Sequence, residues 1–507
     1  MKPEKYLYTS INTSDYKIWM AFPAIYSFSM SSLGFLWMFK TLDEVEDVNI
    51  ERICSDTETT QFNPKDIELI AFSFSFDLDF LEIFKMLEKY NIPLKANERN
   101  KPLIFAGGPV VSANPELYKE IFDFFVIGDG EDINLEAVRI CKANKDKSKD
   151  EILKLLSEIE GVYVSKYSKT VHKHTKKISE CIYTPILTEE AFFPNTFVIE
   201  MTRGCANRCG FCLASYLNLP LRSIPYETLK NIIDLGLKHT NKIALLGAQI
   251  SAHPHFHDIC NYIYKQIQNG KNIEMSVSSL RVDAITPDVV KTLVASGQRN
   301  ATLAIEAGSE RLRRVINKNL TEDQIFNAVK IARENGLKGF KFYGMIGIPT
   351  ETQEDLEAIV ELAKRVKKEN KGFDISFGFS SFVPKPHTPF QWCGREDSKS
   401  LEKKSAFLLK ELRKIGITAH VSSIKWDYWQ AVLSRGDSSL TNFLIEVYKQ
   451  GGKLGAFKSS AKKFNIDTDY FAYVNYPFNK ELPWDFIDIR PGKDFLIKEN
   501  KRLLNKI

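Results

Sequence analysis

Three closely spaced cysteines restrict what the middle of this chain can fold into. Cys205, Cys209 and Cys212 follow the apolar, strand-like residues 196–200 as a CxxxCxxC run. A [4Fe-4S] cluster contains four irons, so three thiolates leave one iron without a protein ligand. An iron with an open position can bind a small molecule. The spacing therefore indicates a reactive iron-sulfur centre and not a sealed electron carrier.

A structural zinc site and unrelated thiols are the competing interpretations of these cysteines. Zinc sites need a fourth ligand and usually pair their cysteines in C-x2–4-C units. The candidates for a fourth ligand are scattered along the chain: Cys260, Cys393, His253 and His255. None of them has the required pairing, so the iron-sulfur interpretation is favoured.

Composition places the chain among ordinary globular proteins. Of its 507 residues, 44% are hydrophobic and 26% are charged, and the net charge of +5 is too weak to indicate a nucleic-acid partner. No apolar run reaches the 18 residues of a membrane span, and the start lacks the apolar core of a signal peptide. The eight cysteines do not form a disulfide pattern. We therefore expect a cytoplasmic protein of two or three domains.

The first 150 residues predict a doubly wound parallel sheet. Strand-like runs alternate with amphipathic helical runs, the strands at 17–22, 67–74, 102–106 and 122–127 and the helices at 33–42, 80–90 and 116–121. Such alternation is typical of βαβ units. Two strands end in glycine turns, Gly107-Gly108-Pro109 and Gly128-Asp129-Gly130-Glu131. The sequence allows either ligand binding at these turns or only tight turns before helices.

Residues 191–395 predict a second α/β domain, joined to the first by a linker or hairpin at 151–190. Six strand-helix units alternate in it, which is the pattern of a partial (β/α)6 barrel. Function is expected on loops at the carboxyl ends of the strands, where the three cysteines lie. His387, in the proline-rich segment that closes this domain, is expected at the barrel mouth, either as an acid/base group or substrate contact or as a loop histidine whose hydrogen bonds the protein satisfies. Residues 396–507 predict a mostly helical, aromatic extension that forms a lid over the barrel.

Residues 190–390 resemble the radical S-adenosylmethionine (SAM) core. The cysteine run, the strand-helix alternation and the run GMIGIPTE at residues 344–351 carry this resemblance. It implies that Cys205, Cys209 and Cys212 hold a [4Fe-4S] cluster and that SAM binds the fourth iron. It also implies that an external electron donor of the flavodoxin or ferredoxin type reduces the cluster, and that SAM is split to a 5'-deoxyadenosyl radical.

The same resemblance implies contacts between SAM and single residues at the strand ends. It assigns Phe211, Ile346 and Gly347 to the adenine of SAM, and Glu306 and Ser309 to the ribose. It assigns Arg314 to the carboxylate and Gly247 to the amino group. The family often shows Gly-Gly-Glu after the second strand, whereas this chain has Leu246-Gly247-Ala248-Gln249. Each position also has a purely structural interpretation. Arg314, for example, lies four residues after Glu310 and can form a surface ion pair with it.

The first domain resembles the cobalamin-binding-type domain found ahead of many radical SAM enzymes. Four segments extend the resemblance to nearly the whole chain and to one largely uncharacterised subfamily: Ala21-Phe22-Pro23, Gly107-Gly108-Pro109, residues 382–392 and Arg435-Gly436-Asp437. The Asp-x-His-x-x-Gly motif that supplies a cobalt-ligating histidine is missing, and residues 1–150 contain no histidine. Cobalamin bound without a protein ligand and no cobalamin at all both remain open.

The sequence therefore predicts a radical SAM enzyme that acts on an unknown substrate. Three alternatives remain: a cobalamin-dependent radical SAM methyltransferase, a methylthiotransferase-like RNA modifier and a non-enzymatic iron-sulfur protein. The RNA modifier would need three more cysteines for a second cluster in the amino-terminal domain. Residues 1–190 offer only Cys54, Cys141 and Cys181, which lie far apart in the chain. Nucleic acid is accordingly not favoured as a partner.

Overall fold

The computed structural model describes residues 3–11, 15–46, 48–178 and 180–505. Its amino-terminal part is an α/β domain. The strands are β1 Lys5–Tyr6, β2 Lys17–Phe22, β3 Asn49–Cys54, β4 Ile67–Ser73, β5 Leu103–Gly107, β6 Phe124–Val126, β7 Val162–Tyr163, β8 Val171–His172 and β9 Ile186–Leu187. The helices are α1 Tyr26–Ser29, α2 Leu33–Asp43, α3 Phe80–Lys89, α4 Pro109–Ala113, α5 Glu131–Ala143 and α6 Lys149–Leu156.

One sheet organises this domain, with its strands in the order β3-β2-β4-β5-β6-β7. The first five are parallel, and β7 pairs antiparallel with β6 at the edge. Counted along the chain, the parallel strands follow the flavodoxin-like order 2-1-3-4-5. The predicted doubly wound sheet is therefore confirmed.

A strand and a helix illustrate where this domain differs from the sequence prediction. Strand β3 was not predicted because Glu51 interrupts its apolar run; the buried Glu51 carboxylate accepts a hydrogen bond from Trp19 Nε1 (2.9 Å). The helix predicted at 116–121 is only a single turn, Glu116–Tyr118. The chain returns to the sheet there, because Asp123 N donates to the Ile104 carbonyl oxygen (2.7 Å).

The central part of the chain is a second α/β unit. Its strands are β10 Thr196–Arg203, β11 Arg222–Ser223, β12 Lys242–Gly247, β13 Glu274–Val277, β14 Asn300–Glu306, β15 Gly339–Ile346, β16 Asp374–Ser381 and β17 Thr418–Val421. Its helices are α7 Leu213–Leu217, α8 Tyr226–Leu237, α9 Phe256–Gln268, α10 Pro287–Ala295, α11 Glu310–Val315, α12 Glu322–Glu334, α13 Gln353–Glu369 and α14 Ser398–Lys414. No described helix is long and apolar enough to cross a membrane.

Two four-stranded sheets form this core, in the orders β11-β10-β12-β13 and β14-β15-β16-β17. A bridge between Leu280 and Leu303 connects them. The six predicted strands, β10 and β12 to β16, run parallel within their sheets. Strand β17 adds a seventh parallel strand beside β16. Its sequence had been predicted to belong to the carboxyl-terminal extension, and α14 packs against it.

The carboxyl-terminal region is mostly helical, as predicted. Its elements are α15 Ile424–Arg435, α16 Thr441–Lys449, α17 Leu454–Lys463, α18 Thr468–Tyr473, β18 Ile487–Asp488 and α19 Lys493–Leu504. Helices α16 and α17 pack against α3 of the amino-terminal domain. The rings of Phe80 and Phe457 lie 6.2 Å apart, and those of Phe84 and Tyr448 lie 5.8 Å apart. The lid expected over the barrel is limited to α19, which packs against α11 and, through Leu503, against Gly210 of the cysteine loop, whereas α16 packs against α3 on the second face of the doubly wound sheet.

An ion-pair cluster joins the amino-terminal sheet to the core directly before the cysteines. Arg203, the last residue of β10, contacts Asp129 (3.0 Å), Glu131 (2.8 Å) and Glu200 (2.8 Å). Arg222 of β11 also pairs with Asp129, and all these side chains are largely buried. Burial by itself raises the pKa of Asp129, but the two arginines outweigh it and hold the pKa below its ordinary value.

Replacing Arg203 by methionine is expected to destabilise the protein by about 3–5 kcal/mol, because the buried carboxylates of Glu131 and Glu200 lose this partner and Asp129 keeps only Arg222. Urea unfolding measures this loss. The pKa of Asp129 is depressed in the folded protein. The difference in the free energy of unfolding between wild type and variant should therefore be largest above pH 3.8, the ordinary pKa of Asp129. It should shrink as the pH falls below that value.

The matched control is Arg365→Met. Arg365 forms a partly exposed ion pair with Glu322, which should contribute at most about 1 kcal/mol. Equal destabilisation by the two substitutions would contradict the role assigned to Arg203.

Candidate active site at the cysteine loop

The three cysteines lie on the loop between β10 and α7, at the carboxyl end of the first core strand. Gly204 opens the loop with a φ of +84°, and a Cβ atom there would collide with the Asn218 carbonyl oxygen. Two backbone hydrogen bonds hold the loop: Gly210 N donates to Ile316 O (3.0 Å), and Phe390 N donates to Gly210 O (3.1 Å). Distant parts of the chain therefore fix the position of the cysteines.

The thiols of Cys205, Cys209 and Cys212 influence one another electrostatically. Burial raises the pKa of Cys209 to about 12; Lys318 opposes this shift, and Cys212, Glu306 and Cys205 add to it. Burial also raises the pKa of Cys212. All three thiols are free of disulfide bonds. Iron binds thiolates, so protons would have to leave these thiols when a metal is loaded.

The donor set fits an iron-sulfur cluster, because three soft thiolates on one loop are the ligands that such clusters use. A single metal ion such as zinc needs its ligands close together. Within the described ranges, no group of three or more histidine, cysteine or carboxylate side chains is placed so that it could hold one metal ion. Two candidates for a fourth zinc ligand have other partners. A ring nitrogen of His253 lies 2.7 Å from the Ile224 carbonyl oxygen, and one of His255 lies 2.8 Å from the Asp258 carboxylate.

Glu306 and Lys318 form a buried ion pair that influences the pKa of Cys209. Lys318 Nζ lies 3.1 Å from Glu306 Oε1. Glu306 ends β14 with a φ of +66°, a conformation that surrounding structure has to impose on a residue other than glycine. The ammonium group of Lys318 favours the thiolate form of Cys209. The sequence indicated Glu306 but not Lys318, because a lysine between two asparagines is typical of an exposed loop.

Arg313 connects the two chain segments that carry this ion pair. Its side chain is 0% exposed. Its guanidinium donates to the carbonyl oxygens of Ala307 (3.0 Å), Gly308 (2.9 Å) and Leu320 (2.7 Å). These bonds connect the end of β14 to the loop that carries Lys318. Sequence analysis passed over Arg313, since its charge suggested an exposed position.

Gly247 and Gln249 bring the end of β12 against the cysteine loop. A Cβ atom on Gly247 would collide with Thr202 Oγ1, so only glycine fits at this strand end. Gln249 Oε1 accepts a hydrogen bond from Asn207 Nδ2 (2.6 Å) and lies 3.3 Å from Cys205 Sγ. Gln249 therefore supports the loop at the place where the family often has a glutamate.

Phe211 connects the cysteine loop with the two other predicted SAM segments. Its half-buried ring packs against a small apolar cluster that includes Ala307, Met345 and Ile348. Ala307 follows Glu306 at the end of β14, and Met345 precedes Ile346 at the end of β15. Three runs of sequence that were singled out separately therefore meet at one apolar surface.

The turn after β15 is closed by a buried carboxylate. Ile346 is in the core, and Gly347 has a φ of +73°, with Leu401 only 2.6 Å from where its Cβ would lie. Gly347 N donates to Glu351 Oε1 (3.0 Å), and Lys404 Nζ lies 2.8 Å from the same oxygen. Burial raises the pKa of Glu351, and Lys404 opposes that shift. This network explains why the turn requires both a glycine and a glutamate.

Ser309 and Arg314 have protein partners. Ser309 caps α11 by accepting a hydrogen bond from Leu312 N (3.1 Å), and its hydroxyl also donates to Asp355. Arg314 is 54% exposed at its side chain and pairs with Glu310 at 3.5 Å, which is the surface pair that the sequence allowed. Contacts of Ser309 and Arg314 with SAM stay predictions.

His387 is buried, in contrast to its expected position at the open barrel mouth. It is only 4% exposed, and its ring centre lies 6.4 Å from that of Trp484. Burial lowers its pKa to about 3; a hydrogen bond to the backbone of Ala113 opposes that shift, and Lys173 adds to it. His387 is therefore neutral at physiological pH and packed between the domains.

A cavity of about 520 Å³ lies between the amino-terminal sheet and the core. The sheet contributes the carboxyl ends of β4 and β5 and the two glycine turns, and the core contributes Glu200, Arg203 and Leu246. The order 2-1-3-4-5 places a topological switch point between β2 and β4, where ligands of such sheets bind. None of the described residues that line the cavity is a histidine.

Replacing Arg313 by methionine is expected to cost about 3 kcal/mol of stability, because three buried carbonyl oxygens lose a charged donor. The neighbouring substitution Arg314→Met provides the control and should stay within about 0.5 kcal/mol, since its ion pair is exposed. Denaturant unfolding of the two variants measures the difference. Similar losses for both would show that Arg313 does not hold the ends of β14 and its following loop.

Two family models match the chain. The model of the radical SAM superfamily matches residues 199–363, and the model described as radical SAM proteins, N-terminal, matches residues 34–165. An uncharacterized protein of Methanocaldococcus jannaschii is 33% identical over 390 residues, which are 75% of this chain and 80% of that protein. Threonylcarbamoyladenosine tRNA methylthiotransferase MtaB of Aquifex aeolicus is 23% identical over 71% of this chain and 84% of its own.

Solved structures share the fold. The cobalamin-dependent SAM radical enzyme OxsB, with aqua-cobalamin and SAM bound, aligns over 97% of this chain and 79% of its own, with a TM-score of 0.55 and 12% identity. The radical SAM methyltransferase TsrM of Kitasatospora setae aligns over 71% of this chain and 72% of its own, with a TM-score of 0.53 and 13% identity. Together with the family models and the relative at 33% identity, the site geometry leads to one conclusion: the chain belongs to the radical SAM superfamily and carries that superfamily's amino-terminal domain.

Proposed function

We propose that this protein is a radical SAM enzyme whose cluster is held by Cys205, Cys209 and Cys212. The family implies a [4Fe-4S] cluster and SAM, which together supply a 5'-deoxyadenosyl radical when they are bound and reduced. The protein's own part is to hold the thiols, to bind SAM next to them and to keep a substrate close by. The substrate itself is not identified by any feature of the chain.

One observation carries this proposal: the cysteine loop, the end of β14 and the end of β15 meet around Phe211. In our proposal Phe211, Ile346 and Gly347 border the adenine, and Glu306 borders the ribose. Gly247 gives SAM access to the backbone of β12. The apolar surface excludes water from the reacting groups, which strengthens every electrostatic contact there.

Lys318 and Gln249 have supporting roles in this proposal. Lys318 places a positive charge near the thiol of Cys209 and so favours its ionised form. Gln249 orients the loop through Asn207 and Cys205. Lys318 belongs to no motif of the sequence, so its role follows from its position alone, whereas Gln249 stands where the family often has the glutamate of Gly-Gly-Glu.

Cys209→Ala is expected to abolish cluster retention and SAM cleavage, because two thiolates cannot replace three. Anaerobic reconstitution should give about four irons per chain in the wild type, and dithionite with SAM should release 5'-deoxyadenosine. Iron analysis and product chromatography measure both quantities.

Cys260→Ala is the matched control. Cys260 is also fully buried, but it lies on α9 within the apolar core. Its substitution should leave the iron content and the SAM cleavage at wild-type values. A Cys209 variant that keeps its iron and cleaves SAM would refute the assignment of the cluster ligands.

A second candidate function is a cobalamin-dependent reaction, and the cavity between the domains favours it. The cavity lies at the switch point of the amino-terminal sheet, and its glycines at 107, 108, 128 and 130 let a large ligand approach the backbone. OxsB and TsrM, which share the fold, have been solved with cobalamin bound. The residues present fit cobalamin only if its cobalt takes no histidine ligand, because the described cavity wall contains no histidine.

Anaerobic loading with hydroxocobalamin tests this candidate. If cobalamin binds here, the purified complex should keep about one cobalamin per chain and show the absorbance of the form without a protein nitrogen ligand. Arg203→Met should weaken retention, since Arg203 lines the cavity and connects its two walls. If the wild type retains no cobalamin, the cavity is available to the substrate and this candidate function is excluded.

Iron content also tests the RNA-modifying alternative, for which the similarity to MtaB is the supporting observation. Cys54 ends β3, Cys141 lies in α5 and Cys181 contacts the carbonyl oxygen of Glu200 beside β10. These three cysteines belong to different parts of the described structure, which does not suit a shared second cluster. About eight irons per chain would revive this alternative.

A further inference from the structure

A small polar pocket lies where the three parts of the chain meet. Its volume is about 200 Å³, several times the roughly 30 Å³ that one water molecule occupies in the liquid. The amino-terminal domain, the core and α15 all contribute to its wall. We call it the side pocket, because part of its wall is shared with the larger cavity between the domains. Its wall includes Asp77, Asn114, Leu213, Lys385, Gln430 and Ser434.

Three of the four segments that extend the resemblance to the subfamily meet at the side pocket. The run Gly107-Gly108-Pro109 contributes its proline, and residues 382–392 contribute a lysine and a proline. Ser434, which directly precedes Arg435-Gly436-Asp437, also lines the pocket. Asn114 Nδ2 donates to the carbonyl oxygen of the glycine in that last run (2.8 Å). Segments that are more than 300 positions apart in the chain therefore build one small site.

An ion pair between Asp77 and Lys385 supplies the charges of the wall. Lys385 Nζ lies 2.7 Å from Asp77 Oδ2 and 2.7 Å from Ser434 Oγ. Gln430 Nε2 donates to Asp77 Oδ2 (3.3 Å), and Ser434 Oγ donates to Asp77 Oδ1 (3.3 Å). The described residues of the wall include no further charged side chain, so the pocket has no net charge. A ligand with a net charge would be left without a counter-charge there, which is costly.

The polar wall has hydrogen-bonding capacity that the protein does not use. An ammonium group carries three N–H donors, and Lys385 uses two of them. Asn114 is only 4% exposed, and its Oδ1 has no hydrogen-bond partner in the described part of the chain. An unpaired buried acceptor lowers stability, so a bound group that donates a hydrogen bond to it would offset this cost. The wall therefore offers both a donor and an acceptor to a ligand.

We propose that the side pocket binds the polar end of the substrate, and that this end carries no net charge and both donates and accepts hydrogen bonds. An amide and the ammonium-carboxylate pair of an amino acid share this chemistry. The proposal rests on the proposed function, since the substrate meant is the one that the radical attacks. Leu213 directly follows Cys212, and Ser75 and Pro109 line both the side pocket and the larger cavity. A substrate bound in this way is held next to the cysteine loop.

Four small probes of similar size test the preference for a neutral ligand: propionamide, alanine, propionate and propylammonium. Ligand-observed NMR on the full chain, with and without the reconstituted cluster, ranks their affinities, which are expected to be roughly millimolar. Propionamide or alanine should bind at least about tenfold more tightly than the two probes with a net charge. The tighter of the two neutral probes distinguishes an amide from an amino-acid end.

Opposite changes of the ion pair should change the preference in opposite directions. Lys385→Gln leaves an acidic pocket, so propylammonium should become the tightest probe, whereas Asp77→Asn leaves a basic pocket that should prefer propionate. Gln430→Glu keeps both members of the pair, which guards against unfolding, and should also favour propylammonium. The control is Lys17→Gln, because Lys17 forms an ion pair with Asp66 (2.9 Å) outside the pocket wall. It should keep the wild-type ranking.

Three outcomes would overturn the proposal: a wild type that binds none of the probes, a wild type that prefers a charged probe, and variants that all keep the wild-type ranking. An ion pair that only joins the domains would produce the third outcome. SAM cleavage separates this proposal from the proposed function. If the wild type releases 5'-deoxyadenosine with dithionite but does not prefer a neutral probe, the side-pocket proposal fails alone. If it prefers a neutral probe but releases no 5'-deoxyadenosine, the proposed function fails, and the assignment of the pocket to a radical substrate fails with it.

Discussion

Parallel strands end at the same edge of their sheet, and every candidate cofactor contact depends on this constraint. The cysteine loop follows β10, Gly247 ends β12, Glu306 ends β14 and Ile346 ends β15. The pairing register shifts just before the ends of β10 and β14, at 200–202 and 304–306. Such irregularities redirect side chains next to active sites. Residues that are more than 100 positions apart can therefore surround one small molecule.

An edge of the amino-terminal sheet faces this edge of the core, and ion pairs set the distance between the two edges. Arg203 contacts two carboxylates of the amino-terminal domain and one of its own strand, immediately before Gly204 and the cysteines. Any ligand in the cavity between the domains therefore lies beside the residue that begins the cysteine loop. The carboxyl-terminal helices α16 and α17 pack against α3 on the other face of the amino-terminal sheet. Domain packing and the geometry of the loop are thus connected physically.

Two buried ion pairs lie near the site. Lys318 and Glu306 pair beside Cys209, and Glu351 pairs with Lys404 under the turn at Gly347. The two charges of each pair compensate each other, so neither pair leaves an isolated buried ion, which would be costly. The site is therefore ordered before any ligand arrives, which reduces the cost of binding.

The sequence by itself determined the cysteine spacing, the alternation of strands and helices in both α/β parts, and the glycines at the strand ends. These features are local, because period and turn chemistry are written in neighbouring residues. Tertiary structure alone decided which side chains are buried. Arg313 and Arg314 are adjacent and chemically identical, yet one organises the site and the other lies on the surface. The burial of His387 and the packing of α16 against α3 were not predicted from the sequence for the same reason: their partners lie far away in the chain, and only the folded packing brings them together.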